Sequence, residues 1–192
     1  MENQKKGKLI VFSAPSGAGK TTIVKEILKE FPEIIFSISA TTRPKRDVET
    51  NGVEYFFLSE AEFREKIEND EFVEWEKFYD YYYGTLKSFI SGNIESGNAV
   101  LLELDVKGAL TIKRLYTYAH LIYISPPSFE ELVNRLRQRN TESESDFVKR
   151  IDRAKMELSL KEEFDYIIEN IELSIAIKEA KSLVNKILKE NY

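Results

Sequence analysis

The sequence predicts an α/β protein with a parallel-sheet core, and three observations support that class. First, strand-like and helix-like segments alternate along most of the 192 residues, which is typical of a parallel sheet covered by helices. Second, residues 99–105 form a nearly continuous apolar run that ends in acid, as expected of a central strand buried on both faces. Third, a loop of small residues joins the first predicted strand to the first predicted helix.

The small-residue loop carries the most specific motif of the chain. It follows an apolar strand at residues 9–12 and precedes a helix with an apolar face. Small residues let successive backbone N–H groups point at phosphate oxygens, while Lys20 can reach the β- and γ-phosphates and the Thr21 hydroxyl can bind Mg²⁺. Ala14 stands where this motif usually begins with Gly, so we expect no left-handed backbone there. A glycine-rich turn without a ligand is the alternative, and the joint presence of Gly19, Lys20 and Thr21 argues against it.

Composition restricts the classes of partner. Hydrophobic residues make up 42% and charged residues 32% of the chain, which is typical of a globular protein. A net charge of −5 disfavours a broad nucleic-acid-binding surface, and the lack of cysteine excludes disulfides and thiolate chemistry. Residues 1–8 lack the apolar segment of a signal peptide, and no apolar run approaches the ~20 residues that span a bilayer. We therefore expect a soluble, cytoplasmic protein with no nucleic-acid or membrane partner.

A basic loop at residues 40–47 contains Arg43 and Arg46. Two planar guanidinium groups three residues apart can converge on one phosphate. A solvated surface loop is the alternative, and the loop taken alone favours it.

The residues around this loop predict a small, largely antiparallel insertion with one helix, from Ile34 to Tyr83. Its signals are, in order, an alternating strand at 34–39, a hairpin turn at Asn51-Gly52, a strand at 55–58, a capping box at Ser59 to Glu62 and an alternating segment at 71–75. The crowded tyrosines before Gly84 are predicted to be a packed aromatic cluster.

Two further features suggest a nucleotide site. Glu103 and Asp105 lie at the carboxyl end of the predicted central strand, where Mg²⁺ or a substrate binds in an open α/β sheet, although an ion pair at the edge of the core is the alternative. Arginine-bearing helices at 129–139 and 146–160, joined by a polar tip at 140–145, resemble a lid that could close over a phosphoryl group. The arginines of the first helix also suit the negative end of a helix dipole, which is the simpler explanation.

Taken in order, these motifs resemble those of guanylate kinases, the nucleoside monophosphate kinases that transfer a phosphoryl group from ATP to GMP. The likeness extends over almost the whole chain, from Leu9 to about Lys189. Its markers are the segments Ala14–Thr21, Ser39–Arg46, Glu49–Gly52 with Tyr55, Glu71–Trp75, Tyr82–Thr85, Glu103–Asp105, Pro126–Ser128 and Arg135–Arg139.

The resemblance implies a P-loop, three-layer parallel-sheet core with a mostly antiparallel GMP-binding insertion and a helical lid. It divides one compact domain into core segments at 1–38, 86–134 and 156–192, the insertion at 39–85 and the lid at 135–155. It implies Mg²⁺-dependent transfer of the ATP γ-phosphoryl group to GMP, and to dGMP, in guanine nucleotide metabolism and GMP recycling. The implied partners are these nucleotides, and the implied state is a monomer or a homodimer.

The resemblance also assigns roles to residues of this chain. The implied catalytic residues are Lys20, Arg43, Arg139 and Arg150. The implied ATP-binding residues are Ala14, Pro15, Ser16, Gly17, Ala18, Gly19, Lys20, Thr21, Thr22, Arg135 and Asn170. The implied GMP-binding residues are Ser39, Arg43, Arg46, Glu49, Tyr55, Glu74, Tyr83, Thr85, Glu103 and Asp105. Thr21 would bind Mg²⁺ together with water, with Glu103 nearby.

The chain departs from the family pattern at several positions. Glu103, Asn140, Val48 and Ile171 replace the more usual Asp, Gly, Gly and Asp. Lys107 replaces a frequent Gln, and a cation there is expected to lower the pKa of Asp105. Two alternatives to the kinase are a phosphopeptide-binding module of guanylate-kinase-like fold and a P-loop kinase for another phosphorylated small molecule. The intact phosphate loop argues against the first. The residues that the resemblance implies read guanine argue against the second, and they are Ser39, Glu74, Thr85 and Asp105.

Overall fold

The computed structural model of the chain describes residues 7–53, 55–78, 80–138 and 144–190. The strands are β1 (Lys8–Ser13), β2 (Ile35–Phe36), β3 (Ala40–Thr41), β4 (Phe56–Phe57), β5 (Phe72–Phe78), β6 (Tyr81–Leu86), β7 (Ala99–Leu104), β8 (His120–Ser125) and β9 (Tyr166–Glu169). The helices are α1 (Lys20–Glu30), α2 (Glu60–Glu68), α3 (Lys87–Glu95), α4 (Val106–Leu115), α5 (Phe129–Gln138), α6 (Glu144–Ser159) and α7 (Leu173–Lys189), with a short 3₁₀ turn at Lys161–Glu163.

The central sheet is parallel, with the strand order β2-β7-β1-β8-β9. Successive residues of β1 point to opposite faces. Ile10 and Phe12 pack in a core that α1 and α7 cover, whereas Leu9 and Val11 pack in a second core against α3 and α4. The predicted three-layer parallel-sheet core is therefore confirmed.

A second, smaller sheet is built from residues between β2 and α3, with the order β4-β3-β6-β5. The β3–β6 and β5–β6 pairings are antiparallel. Helix α2 packs on this sheet through Phe63, whose ring stacks on Phe72 at a centroid distance of 4.3 Å. Gly84 makes this close packing possible, because a Cβ there would lie 2.8 Å from the Phe72 ring. The predicted tyrosine cluster is confirmed only for Tyr82, which is buried beside Phe63, because Tyr81 is exposed and Tyr79 lies outside the described residues.

Two details of the predicted insertion are wrong. The turn at Asn51-Gly52 exists, with φ of +80° at Gly52, but it does not join two strands of a hairpin. Strand β4 instead pairs parallel with β3, because the long loop from Thr42 carries the chain back to the starting end of that strand. The predicted strand at 34–39 is also shortened to β2, which joins the edge of the central sheet, and β3 of the second sheet lies in the segment predicted to be the basic loop.

Helices α5 and α6 pack against each other beside the phosphate loop. Leu132, Leu136 and Ala154 form their small shared core. A Cβ on Gly17 of the loop would lie 3.4 Å from the side chains of Leu132 and Leu136, so α5 lies directly over that loop. The predicted tip at 140–145 falls mostly outside the described residues.

Substitution of two glycines, Gly7 in a crowded position and Gly92 in an open one, tests this packing. A Cβ on Gly7 would lie 2.3 Å from the backbone oxygen of Asn98, whereas a Cβ on Gly92, inside α3, would meet nothing within 4 Å. We expect Gly7→Ala to lower the free energy of unfolding by about 1–3 kcal/mol through overpacking. Gly92→Ala should raise it by about 0.5–1 kcal/mol, because alanine favours the helix. Urea denaturation of both variants measures the difference, and equal midpoints for the two would contradict the packing described.

Candidate active site

The phosphate-loop motif adopts a compact turn between β1 and α1. Gly17 and Gly19 have φ of +91° and +95°, a region that glycine enters without strain. Ala18 is buried, and its amide donates a hydrogen bond of 3.1 Å to the carbonyl of Pro15. Ala14 is buried with an ordinary φ, since Asp70 is the only non-glycine residue of positive φ in the described part of the chain. The prediction that Ala14 needs no left-handed backbone is confirmed.

The first residues of α1 contact the end of β7. The Nζ of Lys20 donates to the carbonyl oxygen of Leu104 at 2.5 Å, and the Thr21 hydroxyl donates to the carboxylate of Glu103. Burial lowers the pKa of Lys20, and the negative charges of Glu103 and Asp105 oppose that effect. The lysine therefore contacts a backbone carbonyl and the hydroxyl contacts one carboxylate at the carboxyl end of the parallel sheet.

Asn170 holds the phosphate loop from the other side. Its side-chain Nδ2 donates to the carbonyl of Ala18 at 2.7 Å, and its backbone amide donates to Ser125 at 2.8 Å. A Cβ on Gly19 would lie only 2.4 Å from that Nδ2, so glycine is required here for close approach as well as for φ. The resemblance implied that Asn170 binds ATP, and in the structure its side chain is hydrogen-bonded to the phosphate loop.

Arg43 of the basic loop lies against an acid, Glu49, and two aromatic rings, Tyr55 and Phe57. The Arg43 guanidinium forms a two-pronged ion pair with Glu49, at 2.7 Å and 3.1 Å, which raises the pKa of Arg43. Its Cζ lies 5.5 Å from the centroid of the Tyr55 ring, and that ring lies 6.1 Å from Tyr83. Arg46 is exposed, and its backbone amide donates to Glu49 at 2.8 Å. The structure thus gathers three other implied GMP-binding residues around Arg43 and joins Arg46 to them through its backbone.

The implied guanine-reading residues come from both sheets. Thr85 on β6 donates its hydroxyl to the Glu74 carboxylate on β5 at 2.6 Å. Asp105 caps α4 by accepting a hydrogen bond of 2.7 Å from the amide of Gly108. A Cβ on Gly108 would lie 3.0 Å from a Glu74 oxygen and 3.4 Å from an Asp105 oxygen, so the two carboxylates flank the same backbone position. Ser39 is half-buried between β2 and β3, and its carbonyl accepts from Phe56.

Burial and neighbouring carboxylates change the acidity of this group. Burial and then the negative charge of Asp105 raise the pKa of Glu74 to about 7, against the hydrogen bond from Thr85. Burial also opposes ionisation of Asp105, but hydrogen bonds from Glu76 and Gly108 and the charges of Arg153 and Lys20 lower its pKa. Lys107 is exposed, so the expectation that it supplies the cation beside Asp105 is not met.

Sequence reasoning missed Arg153 as a member of the site. Its guanidinium contacts Glu76, Asp105 and Glu157 at 2.8–3.0 Å. The i, i+4 spacing of Arg153 and Glu157 is visible in the sequence and could have indicated a helical pair. Contacts with Glu76 and Asp105 join separate elements, and no local pattern predicts them.

Two of the three predicted lid arginines lie within the described residues. Arg135 pairs with Glu131 along α5 at 2.8 Å. Arg150 is half-buried on α6. Arg139 lies outside the described residues.

This combination of a parallel three-layer sheet, a lysine- and threonine-bearing phosphate loop and a second sheet with converging carboxylates defines a P-loop nucleotide kinase. The guanylate kinase family model matches residues 6–187. The chain is 46% identical over 179 residues to the guanylate kinase of Thermotoga maritima, covering 93% of this chain and 86% of that one. It is 45% identical over 184 residues to that of Caldanaerobacter subterraneus, covering 96% and 89%. The chain belongs to the guanylate kinase family.

A solved structure supports the same assignment of fold. The crystal structure of guanylate kinase from Anaplasma phagocytophilum superposes with a TM-score of 0.79 at 26% identity, covering 97% of this chain and 89% of that one. Among the described residues, no helix is both long enough and apolar enough to cross a bilayer.

The acidity of Glu74 generates a prediction about stability. Because its pKa is about 7 in the folded chain and ordinarily 4.5, the folded state binds more protons than the unfolded state between these values. Stability should therefore fall as pH rises from 4.5 through 7. Glu74→Gln should make this fall shallower, although Glu76, with a pKa also raised to about 7 by burial, retains part of it.

Urea midpoints measured between pH 4.5 and 8 test this prediction. Glu71→Gln is the matched control, because a hydrogen bond from Lys66 lowers the pKa of Glu71. The assignment is contradicted if the Glu74→Gln curve runs parallel to that of the wild type.

Proposed function

We propose that this chain transfers the γ-phosphoryl group of ATP to GMP and dGMP in a Mg²⁺-dependent reaction, yielding ADP and GDP or dGDP, and that it serves guanine nucleotide metabolism and GMP recycling. The observation that carries the proposal is the placement of two half-buried carboxylates, Glu74 and Asp105, beside Gly108, with the Asp105 charge acting on the lysine of the phosphate loop. We further propose that residues 39–85 form the GMP-binding unit and 135–155 the lid, and that the enzyme is a monomer or a homodimer.

The carboxylates suit guanine rather than adenine. Guanine presents N1–H and N2–H₂ donors side by side, and a carboxylate can accept from both. Adenine presents an acceptor at N1, which a carboxylate would repel. The Thr85 hydroxyl, already within 2.6 Å of Glu74, holds that carboxylate toward the shared position beside Gly108.

The cluster around Arg43 suits the phosphate of the acceptor. Glu49 orients the planar guanidinium of Arg43 and accepts from two of its five N–H donors, and two phenol groups lie within reach of the same region. Arg46 adds positive charge to the loop. These groups would bind the GMP phosphate as an anion, so no general base is needed to activate it.

The residues at the mouth of the phosphate loop fit Mg²⁺. Thr21 and Glu103 bring a hydroxyl and a carboxylate into contact, and Mg²⁺ prefers such oxygen ligands. When bound, the ion would neutralise charge on the ATP phosphates. Lys20 would neutralise the β- and γ-phosphates, while Arg43, Arg139 and Arg150 would stabilise the moving phosphoryl group and the lid helices would exclude water.

The direct experiment is a coupled assay of ADP formation from ATP and Mg²⁺ with GMP, AMP, CMP, UMP or no acceptor. We expect turnover with GMP and none above background with the others. Turnover with another acceptor would reject guanine as the base that is read. Absence of turnover with every acceptor, in a folded protein that binds GMP, would instead support a binding module.

Removal of the Arg43 guanidinium provides a second test of the proposed function. Arg43→Ala should lower kcat by about 100-fold or more, because a charge-stabilising donor is lost at the reacting group. Arg64→Ala is the matched control, since Arg64 lies in the same segment but forms an exposed pair with Glu60. Near-normal turnover of a folded Arg43→Ala variant would refute the role of Arg43.

A further inference from the structure

One guanidinium connects three separate elements beside the proposed guanine site. Arg153, on α6, donates through Nη2 to Glu76 of β5 at 2.8 Å and to Asp105, at the start of α4, at 3.0 Å. Its Nε donates to Glu157, one turn further along α6, at 2.8 Å. The side chain of Arg153 is only 22% exposed and that of Glu157 only 5%, so solvent screens these contacts weakly.

Both acids that Arg153 bridges lie next to the guanine-reading pair. Glu76 is two residues from Glu74 on β5, so their side chains leave the strand on the same face. Asp105 uses one oxygen to cap α4 and the other to accept from Arg153. The Asp105 carboxylate is thus held at both oxygens, and the strand that carries Glu74 is tied to the same guanidinium.

We propose that Arg153 is a positioning residue for the purine base of the acceptor. It acts through Asp105 and Glu76 and sets the distance and orientation between the carboxylates of Asp105 and Glu74. This inference rests on the proposed function. It extends that function by assigning part of the base selectivity to a residue of α6 that does not itself touch the base.

The electrostatics explain why the loss of Arg153 should matter for the base. Asp105, Glu76 and Glu157 are three acids around one guanidinium, and without it their charges repel one another. The Asp105 oxygen that accepts from Arg153 would then lose that donor, since Gly108 bonds the other oxygen and Glu76 can donate only while it is protonated. Misplacement of a recognition group by about 1 Å can cost ~100-fold in rate.

The test is steady-state kinetics of Arg153→Met with GMP and with IMP, which lacks the 2-amino group. We expect the KM for GMP to rise by about 10- to 100-fold, with the KM for ATP unchanged. The ratio of kcat/KM for GMP to that for IMP should fall. The reason is that the 2-amino group, which only GMP carries, would no longer find a carboxylate held in the right orientation. Arg153→Lys should restore part of both parameters, since an ammonium keeps the charge but not the planar fork.

Lys155→Met is the matched control, since Lys155 is an exposed cation two residues further along α6. If Arg153→Met fails to fold, Arg153→Lys and Glu76→Ala carry the test, and both should raise the KM for GMP. A folded variant of lower thermal stability with an unchanged KM for GMP and an unchanged ratio of GMP to IMP would show that the ion pairs are structural only and would overturn the proposal. Failure of the proposed function would appear separately, as absence of GMP turnover by the wild-type chain.

Discussion

The parallel pairing of β1 with β7 is the constraint on which the rest of the site depends. It aligns Ser13 with Leu104, so the phosphate loop that follows β1 and the acids at the end of β7 emerge at the same edge. Lys20 can then reach the carbonyl of Leu104, and Thr21 can reach Glu103, from the first turn of one helix. Had the strands been antiparallel, the loop and these acids would lie at opposite ends of the sheet.

Burying acidic groups at this edge of the sheet destabilises the fold. A role in ligand binding explains their presence better than a structural role does. Glu74 and Glu76 both have a pKa of about 7, chiefly because burial disfavours their ionised forms. A carboxylate replaced by a packed apolar group would often make a fold more stable. Their placement beside Asp105 concentrates acceptors at one position, which is useful only where a ligand supplies several donors. Perturbed acids that cluster in this way are characteristic of functional sites.

Local patterns were enough to predict the elements whose chemistry is local. The phosphate loop, the acid-ended strand and the ordinary backbone of Ala14 all follow from short segments. The parallel placement of β4 could not be predicted, because it depends on where a long loop returns the chain. The ion pairs of Arg153 could not be predicted either, because its partners Asp105 and Glu76 lie 48 and 77 residues away in sequence. The role of Asn170 against the loop likewise depends on a contact across 152 residues.

The contacts of α5 and α6 give this helix pair access to both proposed substrate regions. On one side, Leu132 and Leu136 of α5 lie against Gly17 of the phosphate loop. On the other side, Arg153 of α6 reaches the strand that carries Glu74. Because Leu132, Leu136 and Ala154 pack the two helices into one small core, a movement of either helix would displace the other. A displacement of α6 would therefore be transmitted to α5, which lies against the phosphate loop.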